Sequence, residues 1–121
     1  MSKEELYHRL MIDLEAIKMP INEVEISLRP YSKTYYGRYF TSGKIYLYPY
    51  KSKSGTLFTY EDIFSTAVHE MCHHIQHQDP TFKRVKGVMH DPKFWCLYNH
   101  FIDRADRLNI IRKEAITHYG S

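Results

Sequence analysis

Cysteine is scarce in this sequence, which has only Cys72 and Cys96 among its 121 residues. Two thiols cannot form a disulfide framework or a four-cysteine zinc ribbon, so both of these architectures are excluded. Each cysteine lies within an apolar helical pattern, and we therefore expect two buried free thiols.

Long apolar runs are absent as well. No segment approaches the roughly eighteen consecutive apolar residues of a membrane-spanning helix. Residues 1 to 5 are charged where a signal peptide would need an apolar core. We therefore expect no membrane association and take a cytoplasmic location as the default.

Runs of like charge are also missing. The formal net charge is +3 at pH 7, and the lysines and arginines are spread along the chain. This balance permits nucleic-acid binding but does not indicate it. With 43% hydrophobic residues, the chain has enough apolar material for one core, and we expect residues 1–121 to form a single domain.

The first half of the chain predicts one helix and three strands. Apolar periodicity predicts a helix over residues 3 to 18, and Pro20 ends it. Strict alternation predicts a strand from 24 to 28. The expected apolar face of the helix comprises Leu6, Leu10, Ile12, Leu14 and Ile17.

Eleven tyrosines are the compositional excess, and most of them lie between residues 31 and 60. Because aromatic residues favour pleated surfaces, two more strands are predicted at 35 to 40 and 44 to 48. Thr41-Ser42-Gly43 is a plausible hairpin connection between them. The sheet is then antiparallel or mixed, and residues 49 to 55 form an exposed loop.

The second half of the chain predicts two helices. Thr59 followed by Asp62 is a helix-starting signature, and an apolar face continues to about residue 78. Asp91 as the cap and Pro92 in the first turn begin the last helix, which continues to about Leu108. The fold class is α+β, with a small three-stranded sheet packed with three helices.

The segment His69-Glu70-Met71-Cys72-His73 lies inside the first of these two helices. A spacing of four residues places the two imidazoles one turn apart on one face, where they can chelate one metal ion. The apolar stripe is expected to leave them on the opposite, polar side. Glu70 is suited to accept a proton from a water molecule that zinc has acidified.

A catalytic zinc site typically has three protein ligands, so a third is needed. His90 is our choice, because it stands just before the last helix, whose start fixes its direction. His77 lies eight residues from His69, too far for a straight helix to aim both at one ion, and His74 points about 100° away. We expect His74 and His77 to be surface or supporting residues and His100 to be packed or solvated. His8 and His118 have no supporting context.

The chain resembles SprT-like zinc metallopeptidase domains, which belong to the zincins, and is also similar to YgjP-type metal-dependent hydrolases. Three elements carry the resemblance: Gly43 to Leu47, His69 to His74, and Gly87 to Phe94, in that order. The likeness is strongest over residues 35–101.

The resemblance implies a zincin-like domain that hydrolyses peptide bonds. It assigns His69, His73 and His90 to Zn²⁺ and Glu70 to the general base. The partner would be a protein or peptide substrate. Such substrates commonly lie extended beside a strand edge, for which residues Ile45 to Tyr48 are our candidate.

Two other functions remain open. In the first, the chain is a binding or adaptor domain that zinc only stabilises, and its partner could be DNA. Glu70 then only orients one of the zinc ligands. In the second, the basic charge and the tyrosine-rich sheet form a nucleic-acid platform. Replacing Glu70 by Gln distinguishes the enzyme from the adaptor, because only an enzyme loses activity while keeping its zinc. The sequence does not indicate the oligomeric state.

Overall fold

A computed structural model describes residues 1–82 and 90–118 of the chain. Within these ranges the fold is α+β, with three α-helices and one three-stranded sheet. The elements are α1 (Lys3–Ala16), β1 (Glu25–Leu28), β2 (Gly37–Tyr39), β3 (Lys44–Leu47), α2 (Tyr60–Gln78) and α3 (Pro92–Arg107). The fold class predicted from the sequence is thereby confirmed.

Helix α1 begins with a reciprocal cap between Ser2 and Glu5, in which each side chain accepts a hydrogen bond from the other residue's backbone N–H. The helix ends at Ala16, two residues earlier than predicted, and Lys18 follows with a φ of 67°. Ile12 is 66% exposed, so its assignment to the apolar face was wrong. It lies about 200° around the helix from Leu10, which is buried.

The sheet is mixed, with the strand order β1-β3-β2. β1 pairs with β3 in parallel, and β2 pairs with β3 antiparallel through a turn in which Gly43 has a φ of +96°. Because β3 is the central strand, the expectation that Ile45 to Tyr48 forms a free strand edge was wrong. Alternation along a strand shows which residues are buried but not which strands are neighbours.

The predicted second strand is shorter than expected. β2 covers only residues 37 to 39, and Tyr35 and Tyr36 precede it as exposed side chains. On the outer face of the sheet, Arg38 lies over the Tyr35 ring at 4.4 Å. The tyrosine-rich segment therefore includes loop residues as well as strand residues.

Helix α2 occupies the predicted range of residues 60 to 78, and the Thr59 side chain accepts the Asp62 backbone N–H at its start. It packs against β2 and β3 on one side and against α3 on another. His69 is therefore only 1% exposed, and the expectation that it would lie on a polar face was wrong. The helix is buried almost all round because it is the central layer.

Helix α3 begins as predicted, with Asp91 as its cap and Pro92 in its first turn. Its inner face packs onto α2, where the Tyr98 hydroxyl hydrogen-bonds Ser65. Cys72 is buried as expected, but Cys96 is exposed, which corrects the prediction of two buried thiols. Cys96 lies about 200° around the helix from the buried Phe94. No helix in the described ranges has the length and apolar character needed to cross a bilayer.

Candidate metal centre

Three histidines from two elements meet at one point. His69 and His73 lie on α2, and His90 directly precedes Asp91, the cap of α3. One ring nitrogen of each lies within 4.8 Å of the others, and His73 Nε2 is 3.2 Å from His90 Nε2. The structure thus brings together the three predicted ligands. Residues 87–89 of the Gly87 to Phe94 motif lie outside the described residues.

The sequence explains how each ligand is placed. The four-residue spacing sets His69 and His73 one turn apart on α2, with ring centroids 5.0 Å apart. His90 is held from the other side, because Asp91 caps α3 by accepting the Phe94 backbone N–H at 2.8 Å. The start of α3 therefore fixes the direction from which the third imidazole approaches.

Phe94 packs against all three imidazoles. The centroid of its ring lies 4.8 Å from that of His69, 4.7 Å from that of His73 and 4.9 Å from that of His90. The ring is fully buried, so it restricts the rotamers of the histidines around it. Trp95 extends this aromatic wall, with its ring 5.7 Å from that of His90.

The donor set fits a zinc ion. Neutral imidazole nitrogens bind zinc at about 2.0 to 2.1 Å, and tetrahedral geometry then separates neighbouring ligand nitrogens by about 3.3 Å. The 3.2 Å between the Nε2 atoms of His73 and His90 agrees with that spacing. Three protein ligands are also the number typical of catalytic zinc sites. The cluster can hold a metal ion, and its chemistry suits zinc among other transition metals.

Glu70 is buried next to the first ligand, at 2% exposure. Its Oε2 atom accepts no hydrogen bond from residues 1–82 or 90–118. Burial raises the pKa of its carboxyl group to about 8, because the charged form loses its hydration. Burying a carboxylate oxygen costs free energy, and strongly shifted pKa values of this kind are frequent at functional sites.

Gly37 of β2 lies directly against Glu70. A Cβ atom at this position would stand 2.7 Å from Thr66 Cγ2 and 3.0 Å from Glu70 Oε2. The strand can therefore approach the helix this closely only with glycine. Gly37 was not among the site residues predicted from the sequence, although an isolated glycine within a predicted strand is a known sign of close backbone approach.

The remaining described histidines lie outside the cluster. His74 is buried, but its Nδ1 is 3.0 Å from the Tyr39 hydroxyl and its Nε2 is 3.0 Å from Glu23 Oε1. It is a supporting residue, as one of our alternatives predicted. His77 and His100 are exposed, and so is His8.

His118 has a structural context that the sequence did not suggest. Its ring stacks on Tyr36 with the centroids 3.9 Å apart. The backbone of the same segment is bound to α2, because Asp62 Oδ1 accepts the N–H groups of Thr117 at 2.7 Å and His118 at 3.3 Å. These contacts hold residues 117–118 against the start of α2.

Comparisons of the chain with protein-family models, with curated proteins and with solved structures find no significant match.

Proposed function

We propose that this chain is a zinc-dependent metallopeptidase domain of the SprT-like type. The observation that carries the proposal is the convergence of three histidines, one ring nitrogen of each within 4.8 Å of the others, together with the buried carboxyl group of Glu70, the residue after His69. The proposal combines that geometry with the resemblance found in the sequence. Peptide hydrolysis is the reaction that this combination supports best.

The chain's own residues would divide the work. A zinc ion held by His69, His73 and His90 would supply a Lewis acid that acidifies water and polarises a carbonyl group. Glu70 follows His69 on the helix; the charge of a bound zinc ion would lower the raised pKa of its carboxyl group, so that the carboxylate would accept the proton of the attacking water. It would then deliver that proton to the departing amine nitrogen. Phe94 would keep the three imidazoles in their rotamers during this cycle.

A peptide substrate would lie beside β2 rather than beside β3. β2 is an edge strand of the described sheet, and its Gly37 touches Glu70. A peptide extended along this edge could use main-chain hydrogen bonds for affinity, with little demand on its sequence. Its backbone would then pass close to the general base.

Glu70→Gln is expected to separate metal binding from catalysis. The amide keeps the shape of the side chain but cannot accept the proton, so hydrolysis should fall about 100-fold or more while one zinc per chain remains. Metal content is measured by elemental analysis, and hydrolysis is measured with a mixture of fluorogenic peptides.

Three further variants provide the controls. His69→Ala and His90→Ala are expected to lose hydrolysis and to hold much less than one zinc per chain, because only two imidazoles then remain to bind the ion. His100→Ala removes an exposed imidazole from α3 and is expected to change neither. Hydrolysis that survives Glu70→Gln unchanged would contradict the proposal. Zinc binding without any hydrolysis by the parent chain would instead support a metal-stabilised binding domain.

A further inference from the structure

The distance of His90 from the other two histidines is not fixed by a single helix. His69 and His73 share one helix, so their separation is fixed by helix geometry. His90 belongs to another part of the chain, and its distance from His73 depends on how the start of α3 is attached to α2. A polar contact between the two elements provides that attachment.

The contact joins Gln76 on α2 to Asp91, the residue that follows His90. Gln76 Nε2 donates to Asp91 Oδ1 at 3.3 Å, and the same oxygen accepts the Phe94 N–H that begins α3. Both side chains are buried, with exposures of 6% for Gln76 and 1% for Asp91. Gln76 lies three residues after His73, so one carboxylate oxygen connects the helix of two ligands to the backbone of the third.

We propose that Gln76 is a positioning residue for the metal centre. Through Asp91, its amide holds His90 at the separation from His73 that one metal ion requires. The inference rests on the metal centre of the proposed function and does not depend on peptide hydrolysis.

Packing alone does not explain a glutamine at this position. Its Oε1 atom is buried and accepts no hydrogen bond within residues 1–82 and 90–118. Burying a carbonyl oxygen without a partner costs free energy that a leucine of similar size would avoid. The hydrogen bond to Asp91 is therefore the feature that distinguishes glutamine from leucine here.

Gln76→Leu tests the role directly. The dissociation constant for zinc, measured by competition with a chromophoric chelator, is expected to rise about tenfold, as is usual when a group that orients a metal ligand is lost. The Tm of the metal-free protein is expected to stay level or to rise. Gln78→Leu provides a matched control, because Gln78 is an exposed glutamine on the same helix.

Two further variants separate positioning from general stabilisation. In a His90→Ala background, the weak zinc affinity that His69 and His73 still provide is expected to stay the same when Gln76→Leu is added, because the ligand that Gln76 positions is gone. Asp91→Asn keeps an oxygen that can accept both hydrogen bonds, and we expect it to retain zinc affinity within about twofold of the parent, a small effect on the scale of such losses.

Three results would overturn the positioning role of Gln76, and only the last of them would also overturn the proposed function. An unchanged dissociation constant in Gln76→Leu overturns the positioning role while leaving the metallopeptidase proposal intact. An equal loss with and without His90 also overturns it, because the effect would then be general. A parent chain that binds no zinc after reconstitution overturns both the positioning role and the proposed function.

Discussion

At the scale of single residues, the candidate site depends on a glycine, Gly37, because a residue with a Cβ atom would not fit at this position. Gly37 lets β2 approach Thr66 and Glu70 to a distance that no Cβ atom would tolerate. The glycine thus serves close approach rather than an unusual backbone angle. Its position beside the proposed general base makes it a sensitive point for substitution.

Gly37→Ala is expected to lower the free energy of unfolding by about 1 to 3 kcal/mol, because the added methyl group forces β2 away from α2. Hydrolysis should fall about tenfold or more while zinc is retained, since displacement of Glu70 leaves the three imidazoles in place. Urea unfolding, peptide hydrolysis and elemental analysis measure the three quantities.

The control for this substitution is the double variant Gly37→Ala with Thr66→Ser. Serine lacks the Cγ2 atom that stands 2.7 Å from the added carbon, so part of the lost stability should return. A double variant no more stable than Gly37→Ala would show that the clash with Thr66 is not the cause.

At the scale of elements, buried polar side chains join α2 to its neighbours. His74 connects α2 to Tyr39 of β2 and to Glu23, which precedes β1. Asp62 connects the first turn of α2 to residues 117–118. Neither contact includes a metal ligand, so both should affect stability more than metal binding.

His74→Ala is expected to lower the free energy of unfolding by about 2 kcal/mol or more. The substitution removes two hydrogen bonds, one of them to the hydroxyl group of the half-buried Tyr39. Zinc stoichiometry should stay at one per chain. Chemical denaturation and elemental analysis test the two parts. His77→Ala, an exposed histidine on the same helix, should change neither, and loss of zinc in His74→Ala would contradict its supporting role.

Asp62 is expected to make stability depend on pH. Burial acts to raise the pKa of its carboxyl group, but hydrogen bonds from the Thr117 hydroxyl and backbone, together with the neighbouring His118, outweigh burial and lower that pKa below its ordinary value. A group with a lowered pKa in the folded state stabilises the fold above its unfolded pKa. That contribution is lost as the pH falls through the folded pKa.

Above about pH 5, the free energy of unfolding of Asp62→Asn should therefore be about 1 to 3 kcal/mol lower than that of the parent. The difference should shrink below about pH 4, where the parent carboxyl becomes protonated as well. The free energy of unfolding is measured by denaturation with a chelator present, so that release of a metal ion does not contribute to it. A difference that is constant over this range would rule out the charge of Asp62 as its source.

At the scale of the whole molecule, the sequence predicted features that local chemistry determines. Both later helices begin where a capping side chain can accept a backbone N–H, at Thr59 and Asp91. These bonds join neighbours in sequence, so their pattern is visible without a structure. The choice of His90 as the third ligand followed from the same signal, because His90 directly precedes the Asp91 cap.

The features that sequence analysis missed depend on contacts between distant segments. The central position of β3 follows from pairing with β1 on one side and β2 on the other, which alternation cannot reveal. The burial of His69 follows from α2 being covered by both the sheet and α3. The link between Asp62 and Thr117 joins residues 55 positions apart.

Zinc is expected to stabilise the whole fold, because its ligands come from two elements that must be packed together to bind it. At a free zinc concentration 1,000 times the dissociation constant, the free energy of unfolding should rise by about 4 kcal/mol. For a domain of this size, the Tm should rise by about 10 °C or more. Calorimetry with zinc and with a chelator measures the shift. His90→Ala should abolish most of it, and an equal shift in that variant would place the ion elsewhere.

The attachment of residues 117–118 to Asp62 has a consequence for synthesis on the ribosome. His69, His73 and His90 all leave the exit tunnel before Thr117 does, so a nascent chain acquires its three candidate metal ligands before it acquires the donors that hold Asp62. Until then, the first turn of α2 carries a carboxylate that lacks these donors and is disfavoured in a packed interior. Translation therefore supplies the contacts at the start of α2 only after the histidines of that helix have emerged.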